Sequence, residues 1–108
     1  MVRTVRAVNR AYMGVSLLII VDSIDYEIFT HYLFGMFCLT RRNRWDYIAC
    51  SRSIKTLIEW IEKEHNVKVE LPHDIDFHET YAIKEAERIL KKYPSWRADP
   101  RESGIPVL

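Results

Sequence analysis

Residues Trp45–His65, WDYIACSRSIKTLIEWIEKEH, pass from a strand-like apolar run through a serine-rich corner into an amphipathic helix. Ile54, Leu57, Ile58 and Ile61 recur at the three- and four-residue intervals of one helical stripe, while Lys55, Glu59, Glu62 and Lys63 point away from it. Ser51 or Ser53 can accept hydrogen bonds from the first free N–H groups, and Asn66 suits a left-handed stop. The pattern predicts a strand over 45–50 and a helix over 52–65, which places the chain in a mixed class.

Upstream, Val15–Val21 (VSLLIIV) is continuously apolar and reads as a fully buried strand. It follows a basic start like a signal-peptide core, but it is too short to cross a bilayer and no small-residue cleavage site follows it. Asp22–Asp25 supplies a turn. Tyr26–Thr40 is dense in aromatic and β-branched residues, which predicts strands over 26–33 and 36–40 with a bend at Gly35. A helix over the same stretch is the competing reading, since Ile24, Ile28, Tyr32 and Met36 recur every four residues. Arg41–Arg44 makes the polar turn into the next strand. At the start of the chain a helix is expected over 3–12, with Val5, Val8 and Tyr12 on one side and Arg3, Arg6 and Arg10 on the other.

Downstream, Val67–Leu71 alternates as a short strand stopped by Pro72. Asp76 and Glu79 have the spacing of a capping box. They open a helix over 77–93 that turns Ala82, Ile83, Ala86, Ile89, Leu90 and Tyr93 inward, pairs Glu87 with Lys91 on its outer side, and ends at Pro94. Residues 94–108 read as an irregular tail, and 1–93 as a single domain. The assembled expectation is an α+β fold, a three- to four-stranded antiparallel sheet with helices packed on one face. The order helix, strands, helix is similar to that of double-stranded-RNA-binding domains. The basic cluster that should open their last helix is reduced here to Arg52 and Lys55, so the chain is not assigned to them.

Composition narrows the function classes. With 108 residues, 48% hydrophobic and 29% charged, the chain can bury a core and is not of the disordered type. The net charge of +1 conceals an asymmetry: residues 1–55 carry eight basic and four acidic side chains, residues 56–108 eight and eleven. The basic half is nearly all arginine, which favours bidentate contacts to phosphate or carboxylate. Cys38 and Cys50 sit in apolar runs without a C-x-x-C pair and read as buried free thiols in a reducing cytoplasm. Only three glycines are present, so no phosphate-cradling loop and no cofactor are expected.

Three functions follow as expectations. If residues 73–79 were extended, Asp74, Asp76 and His78 would share a face, and with His65 they could hold a divalent metal for hydrolysis. Cys38, Cys50, Ser51 and Ser53 have no nearby histidine to activate them. Arg41, Arg42 and Arg44 beside Trp45 could hold phosphates and stack on a base, and the Arg3–Arg6–Arg10 row could follow a nucleic-acid backbone. The leading expectation is a small non-enzymatic interaction module that acts by occupying a surface. Phages and mobile elements carry short α+β chains as inhibitors of host nucleic-acid-handling defence complexes, the anti-CRISPR type among them. Glu59, Glu62, Glu70, Asp74 and Asp76 would imitate phosphate towards a basic channel, with the arginine patches and Trp60 or Trp96 as further anchors. The expected partner is a protein complex, with or without nucleic acid. No membrane is involved, and an exposed strand edge leaves room for a homodimer.

Overall fold

The computed structural model describes residues 2–42 and 46–108. The chain opens not with a helix but with an extended segment that changes partner halfway. Its first part, β1 (Arg3–Arg6), runs parallel to β7 (Val67–Glu70), and its second, β2 (Val8–Asn9), runs antiparallel to β3 (Ser16–Val21). Ala7 is the switch: it is buried, and its N–H donates to the Glu70 carbonyl at 2.9 Å. The expected helix over 3–12 is thus replaced by strand. Val5 and Ala7 turn towards the core two residues apart, and the backbone finds two sets of partners that no local pattern announces. Arg3, Arg6 and Arg10 form no helical row.

From β3 the chain folds into a meander. β3 turns through Asp22 and Ser23, both left-handed at φ 50° and 66°, into β4 (Ile24–His31), as a two-residue type I′ hairpin requires. β4 pairs with β5 (Met36–Arg41), and β5 with β6 (Asp46–Ser51). The competing helix over Ile24–Met36 is therefore not formed. The main sheet has five strands in the order β2-β3-β4-β5-β6, one more than the upper expectation, because β2 comes from the segment read as a helix. Opposite Leu39 and Thr40 the register shifts from Ala49 to Tyr47, so Ile48 is the extra residue of a bulge.

Two α-helices are seen among the described residues, α1 (Ile54–His65) and α2 (Ile75–Lys92), and both cover one face of the sheet. Leu17, Ile19, Tyr26, Ile28, Phe37 and Leu39 from the strands meet Ile54, Leu57, Ile61 and Ala82 from the helices in one core. Each leucine, isoleucine or phenylalanine among them, fully buried, contributes about 1.5–3 kcal/mol. Asn66 ends α1 in the left-handed region, its N–H donating to the Glu62 carbonyl. Ser53 stands at the N-cap of α1 but makes no side-chain cap bond; the Ser51 hydroxyl instead accepts the Ser53 N–H at 3.1 Å. α2 begins two residues earlier than the expected capping box, with Asp74 rather than Asp76 at its N-cap. Glu87 on α2 pairs with Arg52 in the corner before α1, not with Lys91. No helix among the described residues is long and apolar enough to cross a membrane.

The opposite face of the sheet differs from expectation. β3 is not buried on both sides: Leu17, Ile19 and Val21 enter the core, while Ile20 is 55% exposed on the other face. That face has its own small cluster at one edge. Cys38 and Cys50, register partners on β5 and β6, are joined in a disulfide, which corrects the expectation of free thiols. Phe34, Phe29, Met36 and Ile105 surround them. Ile105 belongs to the tail, which forms two 3-10 turns (Pro94–Trp96 and Pro100–Ser103) and then runs beside β6, where Val107 bridges Cys50 in parallel.

Candidate functional site

The helix-free face between β2 and β6 carries the side chains that folding does not consume. Register places Val8, Leu18, Glu27, Thr40 and Tyr47 in one row across the strands, flanked by Ile20 and Asp25 on one side and by Ser16 and Phe29 on the other. Val8 and Tyr47 are 51% and 40% exposed. Asp25, Glu27, Phe29, Thr40, Arg41, Arg42 and Tyr47 line a hollow of about 480 Å³.

Its walls are fixed by neighbouring contacts. The Phe29 and Tyr47 rings meet edge to face at 5.9 Å. The Ser16 hydroxyl donates to Glu27 Oε2 at 3.2 Å, and the Thr40 hydroxyl to the Glu27 carbonyl at 3.4 Å. His31 stacks on Phe34 at 3.7 Å between ring centres, and its Nδ1 accepts the Phe34 N–H at 3.3 Å. Burial pushes the His31 imidazole below its ordinary value, which agrees with a neutral ring accepting at that nitrogen. Arg41, paired with Asp46, and Arg42 bring two cations to the same lining as the two carboxylates. Beside the carboxylates the aromatic rings suit an ammonium or guanidinium group, held by the ring quadrupoles and by charge-assisted hydrogen bonds.

A second constellation lies at the turn end of the β3–β4 hairpin. The Tyr26 hydroxyl is 2.7 Å from His65 Nε2, and His65 Nδ1 is 2.9 Å from Asp22 Oδ2. Arg3 donates to both Asp22 oxygens at 3.0 and 3.2 Å. Carboxylate, imidazole and hydroxyl in series have the connectivity of a nucleophilic triad. Tyr26, however, is only 1% exposed, and burial raises its phenol above the ordinary value, the reverse of nucleophile activation. The chain of bonds is a latch. It ties β1, the β3–β4 turn and the last residue of α1 together.

The residues singled out in the sequence fare unevenly. Arg3 is committed to Asp22, Arg6 lies 3.6 Å from Glu70, and Arg41 is 2.8 Å from Asp46. Arg10 and Arg42 are exposed, while Arg44 and Trp45 lie outside the described residues. Glu62 Oε2 accepts the Val69 N–H at 2.8 Å, and Glu59 remains exposed. Trp60 packs partly buried against the core, edge-on to Tyr26 at 6.2 Å, and half-exposed Trp96 stacks on Tyr93 at 4.1 Å.

The metal candidates separate. Because the chain is helical from Ile75, Asp74 and His78 stand one turn apart and bond at 3.2 Å, whereas Asp76 projects elsewhere, beside Lys55 and Glu79. His65 is held in the latch. Among the described residues no three histidine, cysteine or acidic side chains converge as a metal would need.

Sequence reasoning missed Val8, Ile20, Glu27, Phe29 and Tyr47 as site residues. The available signal was that β3 is apolar on both faces while its partner β4 alternates Asp25, Glu27 and Phe29 with core residues. No protein-family model, curated protein or solved structure matches this chain.

Proposed function

We propose that this chain is a non-enzymatic interaction module that works by surface occupation, with the helix-free sheet face as its contact surface. The observation that carries this reading is apolar exposure where folding does not need it: Val8, Ile20 and Tyr47 stand open around the hollow that contains Asp25 and Glu27. Rings and carboxylates together complement a protein partner that inserts a basic side chain. Proteins that handle nucleic acid present such side chains along their binding channels, so inhibition of a host nucleic-acid-handling defence complex is the specific form we favour.

A second reading has its own support: Arg10, opposite Ser16, and Arg42, opposite Asp25, border the same face as the Tyr47 ring, as a single-stranded nucleic acid would use them. One experiment separates the two. The Ile20→Asp/Tyr47→Asp double variant and the wild type are each mixed with a purified nucleic-acid-handling effector complex and with naked oligonucleotides. A salt-sensitive protein complex lost in the double variant, and retained by Glu59→Lys and Trp96→Ala, supports the leading reading. A gel shift on naked nucleic acid that Arg42→Glu abolishes supports the second. A protein complex indifferent to the face variants overturns the assignment of this surface.

A further inference from the structure

The disulfide stands in a setting unlike the rest of its face. Around the hollow, a few residues away on the same strands, the helix-free side is open to solvent, yet Cys38 and Cys50 are both 0% exposed. Neither helix covers them, because they point away from the helical side. Their cover is the β4–β5 turn, through Phe34, and the tail, through Ile105.

The tail is anchored at Ala98, whose N–H donates to the Leu33 carbonyl at 2.8 Å, and at buried Pro100; its last residues make two bonds to the sheet. The Cys50 N–H donates to the Pro106 carbonyl and the Leu108 N–H to the Cys50 carbonyl, each at 2.9 Å. These two bonds complete the backbone pairing of Cys50, whose register with Cys38 is made side chain to side chain. The strap starts at Gly104, left-handed at φ 77°, directly after a 3-10 turn that Asp99 caps by accepting the Arg101 N–H. A few residues held by half-buried Ile105 and Val107, two edge hydrogen bonds and the Ile105 N–H to the Pro100 carbonyl at 3.0 Å open at lower cost than a sheet whose strands are paired along their length.

We propose that segment 104–108 is a strap that gates reduction of the Cys38–Cys50 disulfide, so that a dithiol reductant reaches the sulfurs only while the strap is lifted. In the step, a reductant thiolate attacks one sulfur and the other cysteine leaves as a thiolate. The reductant's second thiolate then attacks the mixed disulfide, releasing the first cysteine. The reductant ends as a cyclic disulfide; two electrons and two protons pass to the cysteines. The chain thereby has two covalent states, and the strap sets the rate of passage between them.

The test uses the full chain, with dithiothreitol as the reductant; timed samples are quenched with acid, alkylated, and the protein thiols counted by the mass shift. Ile105→Ala removes the tail's share of the cover, and Leu108→Pro removes the N–H donated to Cys50 without touching the meander. Both variants are checked for wild-type far-UV dichroism. Each is expected to be reduced roughly tenfold faster than the wild type, the order of change that loss of a buried side chain or edge bond gives a local opening. The wild-type rate is expected to rise only shallowly with urea, since little surface is exposed on lifting the strap. Unchanged rates in folded variants, a urea dependence as steep as that of global unfolding, or thiols that titrate fully before reductant is added would each overturn the proposal.

Discussion

Tyr26→Phe tests whether the Asp22–His65–Tyr26 series is a latch. The substitution keeps the ring that packs on Trp60 and deletes only the hydroxyl 2.7 Å from His65 Nε2. The His65 side chain is 9% exposed, so its nitrogen gains little from water in exchange. Leaving such a group without its partner costs about 1–3 kcal/mol. For a domain of this size that lowers Tm by roughly 4–8 °C for each kcal/mol. Urea unfolding followed by tryptophan fluorescence at pH 7 reads the loss directly. Asp22→Asn adds a pH signature. Hydrogen bonds from Arg3 first and His65 second hold the Asp22 carboxyl below its ordinary value of 3.8. A carboxyl lowered in the folded state contributes stability that is fully present above the ordinary value and is lost as pH falls through the lower folded value. The wild type and Asp22→Asn should therefore differ at pH 7 and converge in acid. A neutral Tyr26→Phe, or a gap to Asp22→Asn that persists undiminished at the lowest pH at which both fold, would refute the latch.

Two further outcomes follow from the packing. Gly35, left-handed at φ 64°, would place an alanine Cβ 3.3 Å from both Leu90 Cδ1 and Arg97 Nη1, so Gly35→Ala should cost about 1–3 kcal/mol in urea unfolding through strain and crowding together. Glu79 is raised by burial, partly offset by the Ile54 N–H at the start of α1. A carboxyl raised in the folded state favours the fold at low pH and loses that advantage as pH rises through the folded value. Glu79→Gln keeps an oxygen for Ile54 and should match or exceed wild-type stability at pH 7, by less than about 1 kcal/mol given its partial exposure, with the advantage gone in acid; a lower Tm at pH 7 would contradict this.

What could be read in the sequence follows the range over which each signal acts. α1 and α2 were legible because Leu57, Ile58 and Ile61, or Ala82, Ala86 and Leu90, repeat within a few turns and end at Asn66 or before Pro94. The extended start was not. Its two parts are too short to show alternation, the partner of β1 lies some sixty residues downstream, and the spacing of Arg3, Arg6 and Arg10 imitates a helix. The cysteine pair was not legible. Strands over 36–40 and 45–50 joined by a 41–44 turn would set Cys38 opposite Tyr47; the observed pairing starts at Arg41 opposite Asp46, and the bulge at Ile48 adds the last step that brings Cys50 to Cys38. His65 gave no local hint of the latch, since Asp22 and Tyr26 meet it only through the packing of α1.

The same limit explains why the open face went unread and why it matters. Apolar content shows that β3 wants burial, but not how many of its faces the fold itself will cover. The helices cover one, and the tail shields the β6 edge at Cys50. Ile20 and Tyr47 are left on the other face with their apolar surface in water. A threonine or lysine there would preserve the strand and improve solubility, so these side chains are not explained by folding. Lone exposed apolar residues need no explanation, but here Val8, Ile20 and Tyr47 share one face with a hollow and two carboxylates. That grouping, rather than any single residue, is what distinguishes a contact surface from an ordinary exterior.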